Sequence, residues 1–195
     1  MPKTPIFITG NQSKADYLSQ TLGISLTHHK LDVDEIQSPD PHVVIEHKVR
    51  RAYGLLGQPV LVEDTSLSFS VLNGLPGTFI KFFVDTTDGL ENVCRMLDGF
   101  DDRSACASAV FGYYDGVQLR FFAGKLDGVI ATSPRGDGGF GWGKIFEPDG
   151  YNGKTRAELS SEDYLKSYNQ FKDFAGLREF LQSGDDQADV ALRSI

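Results

Sequence analysis

Two strand-like runs, Ala105 to Tyr114 and Val117 to Ala123, are separated only by Asp115-Gly116. An Asp-Gly pair adopts the positive backbone dihedrals of a tight hairpin at little cost, so the two runs are expected to pair antiparallel. The chain in front of them has a different rhythm. Pro5 to Thr9 is a short apolar run broken by Gly10-Asn11, after which Ala15, Leu18 and Leu22 recur at helical spacing. Ser25 to Val33 reads as a second strand. Pro41 to Leu56 reads as a helix, with Val44, Ile45, Val49, Ala52 and Leu56 on its apolar positions, and Pro59 to Glu63 as a buried strand. Strands alternating with helices at the front and a hairpin in the middle give an α/β fold with a mixed, parallel and antiparallel, sheet flanked by helices.

The remaining segments fit that frame. Asn73 to Gly77 is punctuated as a loop, and Asp88 to Leu97 is a helix with Asp88 as N-cap. Gly124 to Ile130 extends the sheet. Pro134 to Gly143 holds five glycines, which suggests backbone wrapped closely around something. Ser160 to Leu181 is the last helical stretch. Residues 1–182 are expected to form one domain, and the polar segment 183–195, lacking a sustained apolar face, a flexible tail.

The charge balance excludes some functions. With 27 acidic against 19 basic side chains and a net charge of −8, the chain is not expected to bind a nucleic-acid polymer, which requires clustered cations. The first apolar run is too short for a signal peptide or a membrane span, so no membrane association is expected and the cytoplasm is the default location. Cys94 and Cys106 lack metal-ligand spacing and read as small core residues. The pairs His28-His29 and His42/His47 lack zinc-site spacing and read as solvated.

Three segments can carry chemistry. Thr9-Gly10-Asn11-Gln12-Ser13-Lys14 lies between a strand and a helix, where backbone N–H groups and Lys14 can hold an anion; the same segment can equally be a tight turn and nothing more. Glu63-Asp64 closes the apolar strand that begins at Pro59. Carboxylates at that position can hold a hard cation at the sheet rim, and Glu35, in an acidic stretch with Asp32 and Asp34, can add an oxygen. Phe140 and Trp142, set among glycines, can stack on a nucleobase, although two aromatics two residues apart on one strand face more often belong to a core.

In this order the segments resemble the inosine triphosphate pyrophosphatase family over roughly residues 5 to 181. The matching pieces are Phe7-Ile8-Thr9-Gly10-Asn11 with Lys14, Val62-Glu63-Asp64-Thr65, Gly74-Leu75-Pro76-Gly77 with Ile80-Lys81, and Phe140-Gly141-Trp142 followed by Phe146-Glu147-Pro148-Asp149-Gly150. The resemblance implies an elongated sheet with two lobes and a central cleft, a homodimer, and Mg²⁺-dependent hydrolysis of a nucleoside triphosphate to the monophosphate and pyrophosphate. Its substrates would be the non-canonical purine nucleotides ITP, dITP and XTP, removed from the nucleotide pool. It further implies Glu35 and Asp64 as metal ligands, Asp64 as general base, Thr9, Asn11, Lys14, Lys48 and Lys81 as triphosphate contacts, and Phe140 and Trp142 beside the base.

The chain departs from the family pattern where the base is read. Gly143 stands in place of an acidic residue after Trp142, Tyr164 in place of a lysine, and Tyr168-Asn169-Gln170 in place of Ser-His-Arg. Asn169 and Gln170 still offer donors and acceptors to a base. Arg135 and Lys144 are nearby cations that can replace a lost contact. Three readings stay open: the family reaction on oxopurines, the same chemistry with altered base preference, and a nucleotide-binding module without turnover.

Overall fold

The computed structural model of the chain describes residues 4–138 and 141–183. Strands β1 (Ile6–Ile8), β2 (His28–His29), β3 (Val60–Phe69), β4 (Pro76–Gly77), β5 (Ser104–Tyr114), β6 (Leu119–Ile130) and β7 (Phe146–Pro148) join in one sheet. Its order is β2-β1-β3-β5-β6-β7, with β4 also on β3. The β1 pairings to β2 and β3 are parallel, and every pairing from β3 to β7 is antiparallel. The mixed sheet expected from the sequence is therefore present. The hairpin turns at Asp115, whose carboxylate accepts hydrogen bonds from the backbone of Val117 and Gln118 and closes the link between Tyr114 and Leu119.

Helices α1 (Gln12–Leu22), α2 (Pro41–Leu56), α3 (Ile80–Val84), α4 (Gly89–Met96), α5 (Ser161–Gln170) and α6 (Phe174–Gln182) cover the sheet. The bounds of α2 follow from its ends. Asp40 accepts from the His42 backbone, Pro41 occupies the first turn, and Gly57 takes φ 62°, a dihedral that ends the helix and that a side chain would resist.

Side-chain alternation along β3 separates two cores. Leu61 joins Phe111, Tyr113 and Phe122 under α1 and α6, whereas Val60 and Val62 join Ile8 and Val110 under α2. A third core lies farther along the same long strands, where Leu67, Phe69, Ala105, Ala107 and Ile130 meet Ile80, Val93 and Leu97. Each fully buried Leu, Ile or Phe contributes about 1.5–3 kcal/mol. The two ends of the sheet thus carry separate cores, and residues 63 and 64 lie between them.

Several expectations from the sequence are corrected. The second strand shrinks to His28–His29 because its partner β1 has only three residues, while Leu31 and Val33 turn onto the α2 core. Strand β3 does not stop at Glu63 but continues to Phe69, paired throughout with β5. Its other edge pairs with β1 only at Val60 and Leu61 and with β4 at Leu67 and Ser68. The carboxylates therefore sit in the open stretch of that edge, just past the end of β1. Asp88 precedes α4 as expected but takes φ 53° and makes no side-chain cap. The last helical stretch is broken at Phe171-Lys172-Asp173, because Asp173 caps a new helix by accepting from Gly176 N–H and Phe171 and Phe174 are both buried. The tail beyond Ser183 lies outside the described residues.

Candidate active site

The gap in the β3 edge opens a polar cleft of about 520 Å³ lined by Thr9, Gly10, Lys14, Asp32, Glu35, Lys48, Glu63 and Lys81, with Ile8, Leu31 and Val33 behind them. Its floor begins at the β1–α1 turn. Thr9 accepts a hydrogen bond from Asn11 N–H at 3.1 Å, and the Asn11 side-chain oxygen accepts from Lys14 N–H at 3.1 Å. Asn11 is thus the N-cap of α1, its amide nitrogen remains available as a donor, and the turn aims the helix N-terminus at the cleft. Lys14, Lys48 and Lys81 reach the cleft from α1, α2 and α3.

Alternation sends the neighbouring carboxylates to opposite sides of the sheet, and their environments differ accordingly. Glu63 is buried between two cations, Lys14 at 2.9 Å and Lys172 at 2.5 Å. Burial pushes its pKa up, but the charges of Lys172 and Lys14 outweigh this and hold the carboxyl below the usual range. On the other side, burial raises the Asp64 carboxyl above its ordinary value; Lys48 opposes the rise and Glu35 adds to it by like-charge repulsion. Glu35 itself pairs with Lys48. Glu35, Lys48 and Asp64 therefore form one electrostatically coupled group. Among the described residues no three His, Cys, Asp or Glu side chains converge as a metal cage.

Lys172 was missed by the sequence reading. It is buried at the break between α5 and α6, with its ammonium 3.6 Å from the centroid of the Tyr168 ring. Burial lowers its pKa to about 8, with Glu63 working against the fall and Lys14 and Arg156 adding to it. Gly124 of β6 makes room for the break, since a Cβ there would lie 2.7 Å from the backbone nitrogen of Lys172. The sequence signal was present in the alternation of β3, which turns Glu63 toward the α1 and α6 core, where a buried carboxylate requires a cation.

The residues expected to face a base are distributed as follows. Trp142 lies in a single 3₁₀ turn, Gly141–Lys144, and not on a strand; it packs edge-on against Phe146 and Phe171. Phe140 lies outside the described residues. Asn169 accepts from the Tyr17 hydroxyl at 2.7 Å and Gln170 from the Tyr151 hydroxyl at 2.9 Å, which leaves their amide nitrogens as donors. Tyr168 and Tyr164 stack at an interplanar angle of 18°. Arg135 is committed to Glu147, Glu158 and the Gly153 carbonyl. A second cation missed by the sequence reading, Arg156, lies against Trp142, Tyr164, Tyr168 and Phe171. Nothing in the local sequence singled it out.

Other groups are inert. Burial pushes both cysteine thiols up to about 11, which keeps them protonated; Cys94 lies in the third core as expected, whereas Cys106 is only half-buried and lies outside it. Among the described residues no helix is long and apolar enough to cross a membrane.

Comparison with known proteins supports the same reading. The sequence profile of the Ham1 family matches residues 5–180. The inosine triphosphate pyrophosphatase of Yarrowia lipolytica is 41% identical over 188 residues, covering 94% of this chain and 98% of that protein. The inosine triphosphate pyrophosphatase of Schizosaccharomyces pombe is 37% identical over 182 residues, covering 91% and 95%. The solved structure of a HAM1 protein from Coxiella burnetii superposes with a TM-score of 0.81 at 25% identity, covering 93% of this chain and 99% of that one. A cleft of this build, on this sheet, with relatives matched nearly end to end, places the chain in the Ham1 family.

Proposed function

We propose that this protein hydrolyses nucleoside triphosphates to the monophosphate and pyrophosphate, acting on non-canonical purine nucleotides such as ITP, dITP and XTP, with Mg²⁺ at Glu35 and Asp64. The observation that carries the reading is the cleft itself, in which lysines from three helices gather with Glu35 beside the N-terminus of α1, and Glu35 and Lys48 are coupled electrostatically to the Asp64 carboxyl. Mg²⁺ commonly takes one or two protein carboxylates and completes its shell with substrate phosphates and water, so a pair without a third ligand suits it. Bound there, the ion supplies charge neutralisation at the phosphate oxygens. Lys14, Lys48 and Lys81 neutralise the rest of the triphosphate, and the amide of Asn11 donates to it. Asp64 takes the proton of the water that attacks the α-phosphorus as pyrophosphate leaves. Positioning and charge stabilisation then carry most of the catalysis.

Release of pyrophosphate from ITP, XTP, dITP, ATP, GTP, CTP, UTP and dTTP, with Mg²⁺ and then with EDTA, tests this. Metal-dependent cleavage led by ITP, dITP or XTP is expected. A folded protein that cleaves none of them sinks the proposal and leaves a binding module, whereas cleavage led by another base leaves the chemistry and replaces the substrate. A homodimer belongs to the same proposal. Leu75, Phe83 and Met96 are exposed along one apolar groove, which supports it, and a monomeric mass by sedimentation would remove it.

A further inference from the structure

The observation that the proposed reaction does not use is Arg156. It is 5% exposed, yet among the described residues its only hydrogen bond runs from Nε to Ser167 Oγ at 3.2 Å, and Nη2 is buried without a partner. Among the described residues no carboxylate pairs with it. Its guanidinium carbon instead lies 4.7 Å from the Tyr164 ring centroid, 5.0 Å from Phe171 and 5.8 Å from both Trp142 and Tyr168. Aromatic faces attract a cation but accept few hydrogen bonds, so they leave the donors of the fork unused. A buried guanidinium in this condition is costly unless something else accepts from it.

Its position says what that is. The triphosphate cleft ends at Lys14 and Glu63; Glu63 holds Lys172, Lys172 lies on Tyr168, and Tyr168 lies beside Arg156. The cation is therefore joined to the cleft through Tyr168, Lys172 and Glu63 and lies within an aromatic surround. It also touches Tyr164 and Tyr168, and its Cβ is the nearest atom to the missing side chain of Gly143, at 3.8 Å. Gly143, Tyr164 and Tyr168 thus converge on this one residue.

Resting on the pyrophosphatase reading above, we propose that Arg156 is a specificity-determining residue that donates to the acceptor edge of a 6-oxopurine. A guanidinium has donors only, in a fork that matches the paired O6 and N7 acceptors of such a base. A 6-aminopurine sets a donor against that fork at the same place. The residue thus supplies donors beside Tyr164 and Tyr168, and these select ITP over ATP.

The test compares the wild-type protein with Arg156→Met and Arg156→Lys after thermal melting has shown each to be folded. Turnover of ITP and ATP and calorimetric binding of IMP and AMP are then measured. The expected result is a fall of roughly 10- to 100-fold in the ITP-to-ATP ratio of kcat/KM for the methionine variant, through loss on ITP. Arg156→Lys is expected to recover part of the ratio. A ratio unchanged within about threefold, or equal losses on both substrates, overturns the proposal and leaves Arg156 a packing residue. If the wild type cleaves none of the eight triphosphates, the pyrophosphatase reading fails by itself. Selection of IMP over AMP that is lost in Arg156→Met then still supports the role of Arg156, and its absence ends it.

Discussion

Replacing Lys172 with methionine tests whether the Glu63 ion triad holds the two sides of the first core together. Methionine keeps most of the apolar stem against Tyr168 and Phe171 but removes the charge, leaving Glu63 with Lys14 alone. Removing one partner of a fully buried pair costs about 3–5 kcal/mol. Lys14 sits 2.9 Å from the other carboxylate oxygen and is only 32% exposed, so it retains part of the compensation, and a loss of about 3 kcal/mol is expected. For a chain of this length that is a fall in Tm of roughly 6–12 °C. The pH dependence has a definite sign. In the wild type Glu63 titrates below its usual value, so the stability it contributes is present above the unfolded value of 4.5 and is lost as pH falls through the lower folded value. In the variant burial dominates, the folded pKa rises, and protonation on acidification restores stability. The gap between the two proteins is therefore expected to narrow toward pH 4, and Glu63→Gln in the Lys172→Met background to recover most of the loss at pH 7. Urea unfolding of the four proteins of this cycle measures it. A loss below about 1 kcal/mol, or no coupling between positions 63 and 172, refutes the reasoning.

Other expectations concern the chemistry and the fit around it. Asp64→Asn is expected to lower turnover by at least about 100-fold while raising Tm at neutral pH. The folded pKa of Asp64 lies above 3.8, so ionisation costs stability as pH rises through that window, and asparagine never ionises. Lys48→Met removes the cation that lowers the Asp64 pKa, and a carbon NMR titration of the metal-free protein is expected to show this carboxyl moving further up; a fall or no change contradicts the coupling. Gly124→Ala drives a methyl into the backbone of Phe171 and Lys172 and is expected to cost about 1–3 kcal/mol in urea unfolding, with a matching loss of the Lys172–Glu63 coupling.

The parts of the fold that were legible in the sequence were those fixed by local geometry. Asp115-Gly116 announced the hairpin, and the apolar spacing between Pro41 and Leu56 announced α2, whose ends Asp40 and Gly57 fix. In the cleft, Thr9, Asn11 and Lys14 were readable as one turn able to hold an anion, whereas Lys48 and Lys81 entered only through the family resemblance, and the fold brings the three lysines to one cleft. What could not be read depends on pairs distant in the chain. The extension of β3 to Phe69 exists because β5 is there to pair with it, and the break at Lys172 exists because Gly124 lets backbone approach backbone. Arg156 has no local signature at all; its meaning comes from Gly143, Tyr164 and Tyr168, which only the folded chain brings to it.

Glu63 and Asp64 show why one dipeptide serves two ends. Both are acidic and both lie in the open stretch of the β3 edge, so sequence alone treats them alike. The two-residue period of a strand sends one toward α1 and α6, where paired lysines stabilise its charge, and the other toward α2, where burial and Glu35 oppose it. The first stays ionised and ties Lys14 to Lys172; the second is held nearer the point at which it can accept a proton. The two carboxyls are thus shifted in opposite directions because the strand's alternation hands each a different set of charged neighbours. A one-residue slip of β3 against β5 would exchange the two environments, leaving Asp64, one methylene shorter, to span the lysine pair and Glu63 to face Lys48. For that reason the long, continuous β3–β5 register, from Val60 opposite Tyr114 to Phe69 opposite Ala105, decides which charged neighbours each of the two carboxylates meets.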